Sequence, residues 1–182
     1  MNKGRLIVLS GPSGSGKGTL IAALKKQNNK LYLSVSATTR PPRKNETQGS
    51  DYFFLTRVQF EEMIKTGQML EYAEYCGNLY GTPAQAVDRE MEQGRDVILE
   101  IEVDGAMQIR QKRPDAILIF IKPPSMKVLR ERLMLRDTDD PETIEKRMEK
   151  AKLELSQAER FDYIVVNDRV EDAVEEIKKI IG

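Results

Sequence analysis

Near its start the chain reads Arg5-Leu6-Ile7-Val8-Leu9-Ser10-Gly11-Pro12-Ser13-Gly14-Ser15-Gly16-Lys17. The apolar run that begins this stretch is typical of a strand buried on both faces of a parallel sheet. The part from Gly11 to Lys17 fits the pattern G-x-x-x-x-G-K, and a helical pattern follows from about Gly18 to Gln27. Strand, glycine-rich turn and helix in this order predict a loop whose backbone N–H groups point at a polyphosphate, with the lysine adding a positive charge.

The residues after this lysine depart from the commonest form of the motif. Gly18 stands where a serine or threonine hydroxyl usually ligates Mg²⁺, and Thr19 follows, better placed for the α-phosphate. We therefore expect Mg²⁺ to be held by the phosphates and by water rather than directly by the protein. The residues expected to bind the nucleotide are Gly11, Pro12, Ser13, Gly14, Ser15, Gly16, Lys17, Gly18 and Thr19. The alternative is a glycine-rich turn that binds no ligand.

The composition excludes several kinds of chemistry and of partner. The 182 residues include 29 Lys plus Arg and 29 Asp plus Glu, so no overall charge attracts nucleic acid or an anionic membrane. Cys76 is the single cysteine and histidine is absent, which excludes an internal disulfide, zinc ligation and a histidine base. Because no apolar run reaches about 18 residues, we expect a cytoplasmic monomer or small homo-oligomer without nucleic-acid or membrane partners.

Short apolar strands alternate with helical patterns along most of the chain. Strands are predicted at 5–10, 31–35, 52–55, 69–75, 78–81, 97–101, 116–121 and 163–166, and helices at 18–27, 58–65, 84–93, 104–113, 125–136, 140–158 and 170–181. This alternation predicts an α/β fold with a parallel sheet flanked by helices on both faces, of the P-loop NTPase type. We expect one domain of 1–182, with a core of about 1–36, 82–124 and 160–182, an inserted lobe of about 37–81 and a helical lid of about 125–159.

The inserted lobe carries two arginines, Arg40 and Arg43, on either side of Pro41-Pro42. Proline restricts the backbone, and the planar donors of arginine bind two phosphate oxygens at once, so this loop suits a second anion opposite the first. On spacing alone, two solvated loop arginines are an equally good interpretation.

Four further motifs follow along the chain. They are Ser36-Ala37-Thr38-Thr39-Arg40-Pro41-Pro42-Arg43, Gly49-Ser50-Asp51-Tyr52-Phe53-Phe54, Tyr80-Gly81-Thr82 and Leu99-Glu100-Ile101-Glu102-Val103-Asp104-Gly105. Their order and approximate spacing resemble those of the guanylate kinase family, from Leu6 to the Val166-Asn167-Asp168 run. The resemblance implies a P-loop enzyme that transfers the γ-phosphoryl group of ATP to GMP with Mg²⁺, giving ADP and GDP for GTP and dGTP supply and GMP recycling. It also makes dGMP an expected acceptor.

The resemblance implies a GMP site in the lobe and beside it. It implies that the GMP phosphate is held by Arg40, Arg43, Tyr52 and Tyr80, and that the guanine edge is read by Ser36, Glu71, Thr82 and Glu102. Guanine offers N1–H and N2–H₂ donors, which carboxylates accept, whereas adenine reverses the polarity of this edge. Glu102 departs from one common family version, which has Asp there. Without the resemblance, the two acids would be interpreted as surface residues, and the two tyrosines could equally be core aromatics with hydrogen-bonded hydroxyls.

Phosphoryl transfer needs alignment and positive charge around the migrating group. The resemblance implies that this charge comes from Lys17, Arg132, Arg136 and Arg147. Asp137 stands where the family often has Gly, which bears on the local turn but not on the charge. Asn167 and Asp168, just past a strand, are expected near the adenine of ATP. The alternative for the helical arginines is ordinary pairing with neighbouring acids.

Two other functions stay open at this point. A related phosphotransferase could use AMP, dAMP or a sugar phosphate as acceptor. Guanylate-kinase-like modules of scaffold proteins bind other proteins instead of catalysing transfer, but they typically have a degraded phosphate loop and lie in longer chains. The intact stretch from Gly11 to Lys17 favours the enzyme.

Overall fold

The structure is a computed structural model that describes residues 3–135 and 140–182. Its strands in chain order are β1 (Leu6–Ser10), β2 (Leu31–Leu33), β3 (Ala37–Thr38), β4 (Phe53–Phe54), β5 (Met69–Tyr75), β6 (Asn78–Pro83), β7 (Asp96–Glu100), β8 (Ile117–Lys122) and β9 (Tyr163–Val166). Its helices are α1 (Lys17–Gln27), α2 (Arg57–Lys65), α3 (Ala84–Glu92), α4 (Val103–Lys112), α5 (Met126–Met134), α6 (Pro141–Leu155) and α7 (Val170–Ile181).

Five strands form a parallel sheet in the order β2-β7-β1-β8-β9. All residues of β1 are buried, as its uninterrupted apolar run predicts for a central strand of a parallel sheet. The glycine-rich loop therefore leaves the sheet at the carboxyl end of a central strand. This edge is where open α/β sheets bind their ligands.

Helices cover both faces of this sheet, each over its own buried apolar cluster. On one face α1 and α7 pack together and bury residues such as Leu24 and Ile177 against β1, β7 and β8. On the other face α3 and α4 bury residues such as Val87 and Ile109. The predicted α/β class with a parallel, helix-flanked sheet is therefore confirmed.

A second, four-stranded sheet has the order β4-β3-β6-β5 and a small core of Ala37, Phe60, Met69 and Leu79. Its β5–β6 hairpin turns through Cys76 and Gly77, whose φ angles are 49° and 75°. Two successive positive φ angles are the signature of a type I′ turn, whose twist matches that of the paired strands. This turn fills the two-residue gap between the predicted strands 69–75 and 78–81, which are both present.

The segment from 125 to 155 contributes α5 and α6, which are capped by side chains. Ser125 accepts a hydrogen bond from the N–H of Val128, and Asp140 accepts one from the N–H of Thr143. Pro141 occupies the first helical position, where its missing N–H costs nothing. The two helices pack through an apolar cluster of Leu129, Leu133, Ile144, Met148 and Ala151.

Three predicted elements differ from the structure. The strand predicted to Val35 ends at Leu33, because the chain turns away after Leu33 pairs with Ile98. No strand is predicted between 35 and 52, but this stretch contains β3, whose partners β4 and β6 come later in the chain and leave no local signal. The helix predicted for 140–158 ends at Leu155, and a short 3₁₀ turn, Ala158–Arg160, follows it.

A bilayer-spanning helix is not found in the part of the chain that the structure describes, because none of its helices combines the length and the apolar character that a span requires.

Candidate active site

The glycine-rich loop packs closely against β8, and its backbone carbonyls bind the ammonium group of Lys17. A Cβ on Gly11 would stand 2.2 Å from the carbonyl oxygen of Ile121, so only glycine fits there, and its φ of 137° also requires it. Lys17 donates hydrogen bonds to the carbonyl oxygens of Gly11 and Pro12, at 2.6 and 3.1 Å. The predicted strand, loop and helix are therefore present, and Lys17, the first residue of α1, lies against the loop that precedes it.

Asn167 and Arg132 hold this loop from its far side. The Asn167 side chain, which is 3% exposed, donates to the carbonyl oxygen of Ser15 at 2.8 Å and would collide with any Cβ on Gly16. Arg132 donates to the carbonyl oxygen of Asn167 at 2.9 Å. Asn167, expected near adenine, is therefore engaged with the loop itself, and together with Gly14 and Thr19 it lines a cavity of about 290 Å³.

A second arginine that was predicted to take part in the transfer step, Arg147, also reaches the loop. Arg147, on α6, donates to the hydroxyl of Ser13 at 3.3 Å. Arg136 and its neighbour Asp137 lie outside the described residues. Of the three arginines expected from the lid, the structure thus brings Arg132 and Arg147 to the glycine-rich loop.

Glu71 is a buried acid on β5. It stands directly opposite Thr82 in the same register as the rest of the β5–β6 hairpin, and the register shift comes just before it, between Met69 and Glu71. The Thr82 hydroxyl donates to the carboxylate at 2.6 Å, and Glu71 is 6% exposed and Thr82 1%. Burial raises the pKa of Glu71, against the opposing effects of the Thr82 hydrogen bond and of Lys112.

One face of helix α4 packs against Glu71 and the strand that carries it. A Cβ on Gly105 would stand 2.7 Å from Oε2 of Glu71, so the carboxylate lies directly against the helix backbone. One turn further on, Gln108 accepts from the N–H of Tyr72 at 3.1 Å and donates to its carbonyl at 2.9 Å, as a neighbouring strand would. Lys112 donates to the carbonyl of Met69 at 2.9 Å. These residues recur at helical spacing and attach α4 to the strand that carries Glu71.

The predicted phosphate-binding residues are partly brought together. The Arg40 guanidinium lies 5.4 Å from the ring centroid of Tyr52, and the rings of Tyr52 and Tyr80 meet edge to face at 6.2 Å. Arg40 also forms a two-pronged pair with Glu46, at 2.9 and 2.8 Å, which lowers the pKa of that carboxyl group. Arg43 is exposed, and its backbone N–H donates to the same Glu46. The sequence motif did not single out Glu46, which organises this loop.

The glycine-rich loop and residues of the predicted GMP site line one shared cleft of about 380 Å³. Among the residues that line it are Lys17 and Arg147, predicted to contact the phosphates of ATP, and Tyr52 and Glu102, predicted to contact GMP. Ser36 lies near this region at the end of the β2–β3 connection, where its carbonyl accepts from the N–H of Phe53. Two residue sets that are far apart in sequence thus face one space.

The sequence did not single out three charged residues that line this cleft, Glu100, Lys150 and Glu154. Glu100 ends β7, beside the strand that leads into the glycine-rich loop, and an acid at the end of an apolar run was a usable signal. Lys150 and Glu154 belong to a helix rich in alternating charges. Nothing in that pattern distinguishes a residue that faces the cleft from one that faces solvent.

Comparisons with known proteins agree with the geometry. The sequence profile described as guanylate kinase matches residues 3–182. A guanylate kinase from Lactococcus lactis is 54% identical over 179 residues, which is 98% of this chain and 87% of the relative. One from Halalkalibacterium halodurans is 52% identical over 98% of this chain and 88% of its own length.

The chain belongs to the guanylate kinase family. The crystal structure of guanylate kinase from Anaplasma phagocytophilum has the same fold, with a TM-score of 0.75 and 32% identity over 99% of this chain and 85% of that one. The family resemblance drawn from the four motifs is therefore confirmed. Within the guanylate kinase family, the phosphate loop, the Glu71–Thr82 pair and the shared cleft are the features of this chain to which a function has to be fitted.

Proposed function

We propose that this chain transfers the γ-phosphoryl group of ATP to GMP, giving ADP and GDP. The observation that carries the proposal is the buried carboxylate of Glu71, which Thr82 and the backbone of Gly105 hold in one position. A buried acid is costly unless it serves a purpose, and perturbed groups of this kind cluster at functional sites. Family membership makes guanine its proposed partner.

Guanine suits this acid better than adenine does. The N1–H and N2–H₂ groups of guanine are donors, which the carboxylates of Glu71 and Glu102 accept, while Ser36 and Thr82 offer hydroxyls to the same edge. Adenine would direct an unprotonated ring nitrogen at a carboxylate and leave buried groups unpaired. Arg40, Arg43, Tyr52 and Tyr80 are proposed to hold the GMP phosphate, with Glu46 keeping Arg40 oriented.

The transfer itself needs no protein base. An oxygen of the GMP phosphate, ionised at neutral pH, attacks the γ-phosphorus while the bond to the β–γ bridging oxygen breaks and its electrons leave with ADP. Lys17, Arg147 and Arg132 are proposed to stabilise the charge that spreads over the migrating group. Arg136 is proposed for the same role and lies outside the described residues.

The residues around Gly18 fit a metal held by phosphates and water. Gly18 offers no side-chain ligand, and the atom nearest to where its Cβ would stand is Oε1 of Glu100, at 4.0 Å. A carboxylate at this place suits a hydrogen bond to a metal-bound water, and Mg²⁺ keeps several of its waters. When bound, Mg²⁺ would supply positive charge that offsets the negative charge developing on the phosphates during transfer.

The same site leads to proposals on acceptor range and organisation. Because the recognition groups face the base and the phosphate, dGMP is a proposed second acceptor. We propose that the core comprises about 1–36, 82–124 and 160–182, the GMP-binding lobe about 37–81 and the lid about 125–159. We also propose a cytoplasmic monomer or small homo-oligomer that requires neither nucleic acid nor a membrane.

The decisive experiment is an ADP-release assay with Mg²⁺-ATP and one acceptor at a time: GMP, dGMP, AMP, CMP or UMP. We expect turnover with GMP and dGMP and only background with the other three. Turnover with AMP equal to that with GMP would contradict guanine recognition. Failure to bind Mg²⁺-ATP by calorimetry would contradict the enzyme and favour a protein-binding module.

A further inference from the structure

Glu102 directly precedes α4, but its side chain does not cap this helix. Instead, both of its carboxylate oxygens accept hydrogen bonds from Nζ of Lys150, at 3.0 and 2.9 Å. Lys150 belongs to α6, 48 positions later in the chain. A residue proposed to read guanine is thus held by a side chain from the predicted lid.

The surroundings of Glu102 are rich in negative charge. Burial raises the pKa of Glu71 and of Glu154, and repulsion from Glu102 raises both further. Lys150 lies between Glu102 and Glu154, whose carboxylate is 4.0 Å from Nζ. Burial lowers the pKa of Lys150, but its contacts with these two acids outweigh that effect and raise it. The ammonium group therefore stays charged at neutral pH and offsets the mutual repulsion of the carboxylates.

We propose that Lys150 is a positioning residue for guanine recognition, which holds the Glu102 carboxylate facing the acceptor cleft beside Glu71. The proposal rests on the function proposed above, because it concerns the same base. Each carboxylate oxygen has more than one acceptor direction, so an oxygen bound to Lys150 can still accept from guanine. Without the lysine, repulsion from Glu71 and Glu154 would turn the exposed Glu102 side chain towards solvent.

The pair is too exposed to matter for stability, since 52% of the Lys150 side chain and 67% of the Glu102 side chain are accessible. Its position gives it another use. Arg147 stands one turn before Lys150 on α6 and contacts Ser13 of the phosphate loop. One turn of α6 thus contacts the phosphate loop through Arg147 and the proposed guanine site through Lys150. Binding of guanine at Glu102 therefore also helps to fix the position of Arg147 at the phosphate loop.

The test compares Lys150→Met with Lys150→Arg in steady-state assays with GMP and with IMP, which lacks the 2-amino group. We expect Lys150→Met to raise KM for GMP roughly ten-fold, at the low end of what one recognition contact supplies, with kcat changed much less. Glu71 and Glu102 are proposed to share the N1–H and N2–H₂ donors of guanine. A displaced Glu102 therefore weakens recognition of the amino group, and the preference for GMP over IMP falls in this variant. Lys150→Arg can still bind both carboxylate oxygens, and we expect it to restore KM and the preference.

Two controls separate positioning from a general effect of charge or folding. Lys152→Met removes the same charge from the same helix at a residue paired with Glu149, and we expect it to leave KM for GMP unchanged. In a Glu102→Gln background, Lys150→Met should add little to the rise in KM. An unchanged or lowered KM in Lys150→Met, or an equal rise in Lys152→Met, would overturn the proposal. If the unaltered chain failed to phosphorylate GMP, the proposed function would fail instead.

Discussion

Lys17 and Glu71 show how differently single residues reveal their tasks. Lys17 belongs to a motif in which residue type, spacing and neighbouring elements all indicate the same chemistry. Glu71 stands in an ordinary alternating strand, and what surrounds its carboxylate is a hydroxyl on the opposite strand and a glycine of a packed helix. Removing either side chain tests the proposed function from opposite sides of the cleft.

Lys17→Met should abolish transfer and leave the fold intact. The side chain touches two backbone carbonyls of its own loop, so its loss removes charge at the phosphates more than it removes packing. We expect kcat/KM to fall roughly 10³-fold or more, as when a main transition-state contact is lost. The coupled ADP assay measures this, with circular dichroism for the fold and Lys25→Met on α1 as control. Near-normal turnover would remove the phosphate loop from the mechanism.

Glu71→Gln should make the protein more stable at neutral pH and less active. The pKa of Glu71 is raised from its ordinary value of 4.5 by burial, so as pH rises the unfolded state ionises first and the folded state loses stability. That loss begins near pH 4.5 and is complete above the folded pKa. Gln keeps an oxygen for the Thr82 hydroxyl without the charge, so we expect the variant to unfold at a higher temperature at pH 7 and at a similar one at pH 4.

The same variant should phosphorylate GMP less efficiently, with kcat/KM lowered roughly 10- to 100-fold, because an NH₂ donor replaces one of the two carboxylate oxygens that accept from guanine. Thermal unfolding between pH 4 and 8 and the ADP assay measure the two effects. A variant that is less stable than the parent across the whole pH range would show that burial does not set the pKa of Glu71.

At the scale of elements, the contact between α4 and β5 is the one on which the proposed guanine site depends. Glu102 precedes α4 and Glu71 lies on β5, so their separation is set by how these two elements are joined. Gln108 makes that joint by pairing with the backbone of Tyr72 as a strand would. Helix α4 therefore connects the two sheets and sets the positions of the two acids of the proposed guanine site.

Gln108→Ala should loosen this joint. Two hydrogen bonds to an exposed strand edge are lost, which costs about 1 kcal/mol of folding free energy. Because Glu71 is next to Tyr72, we expect KM for GMP to rise several-fold while KM for ATP stays the same. Urea unfolding and steady-state kinetics measure the two effects, with Gln111→Ala, an exposed position of the same helix, as control. Equal increases in both KM values would point to a general loss of folded protein.

At the scale of the whole molecule, ligands should stabilise the chain selectively. The two sheets have separate apolar cores. The shared cleft is lined by the phosphate loop, by residues of the proposed GMP site and by α6. A ligand that binds the folded state at 100 times its Kd adds about 2.7 kcal/mol to the free energy of unfolding. We expect GMP to do this and AMP at the same concentration to do so far less. Thermal unfolding with each nucleotide measures the difference, and equal shifts would contradict guanine selectivity.

The sequence by itself determined the parallel sheet, the phosphate loop with Lys17 and the family, because these rest on local periodicity and on a motif whose parts are adjacent in the chain. Only the tertiary structure decided that Glu71 is buried against Thr82 and Gly105, that Asn167 supports the loop at Ser15, and that Lys150 holds Glu102. The burial and partners of an acid depend on segments that pack against it from distant parts of the chain. A surface acid and a recognition acid therefore look the same until the fold brings those segments together.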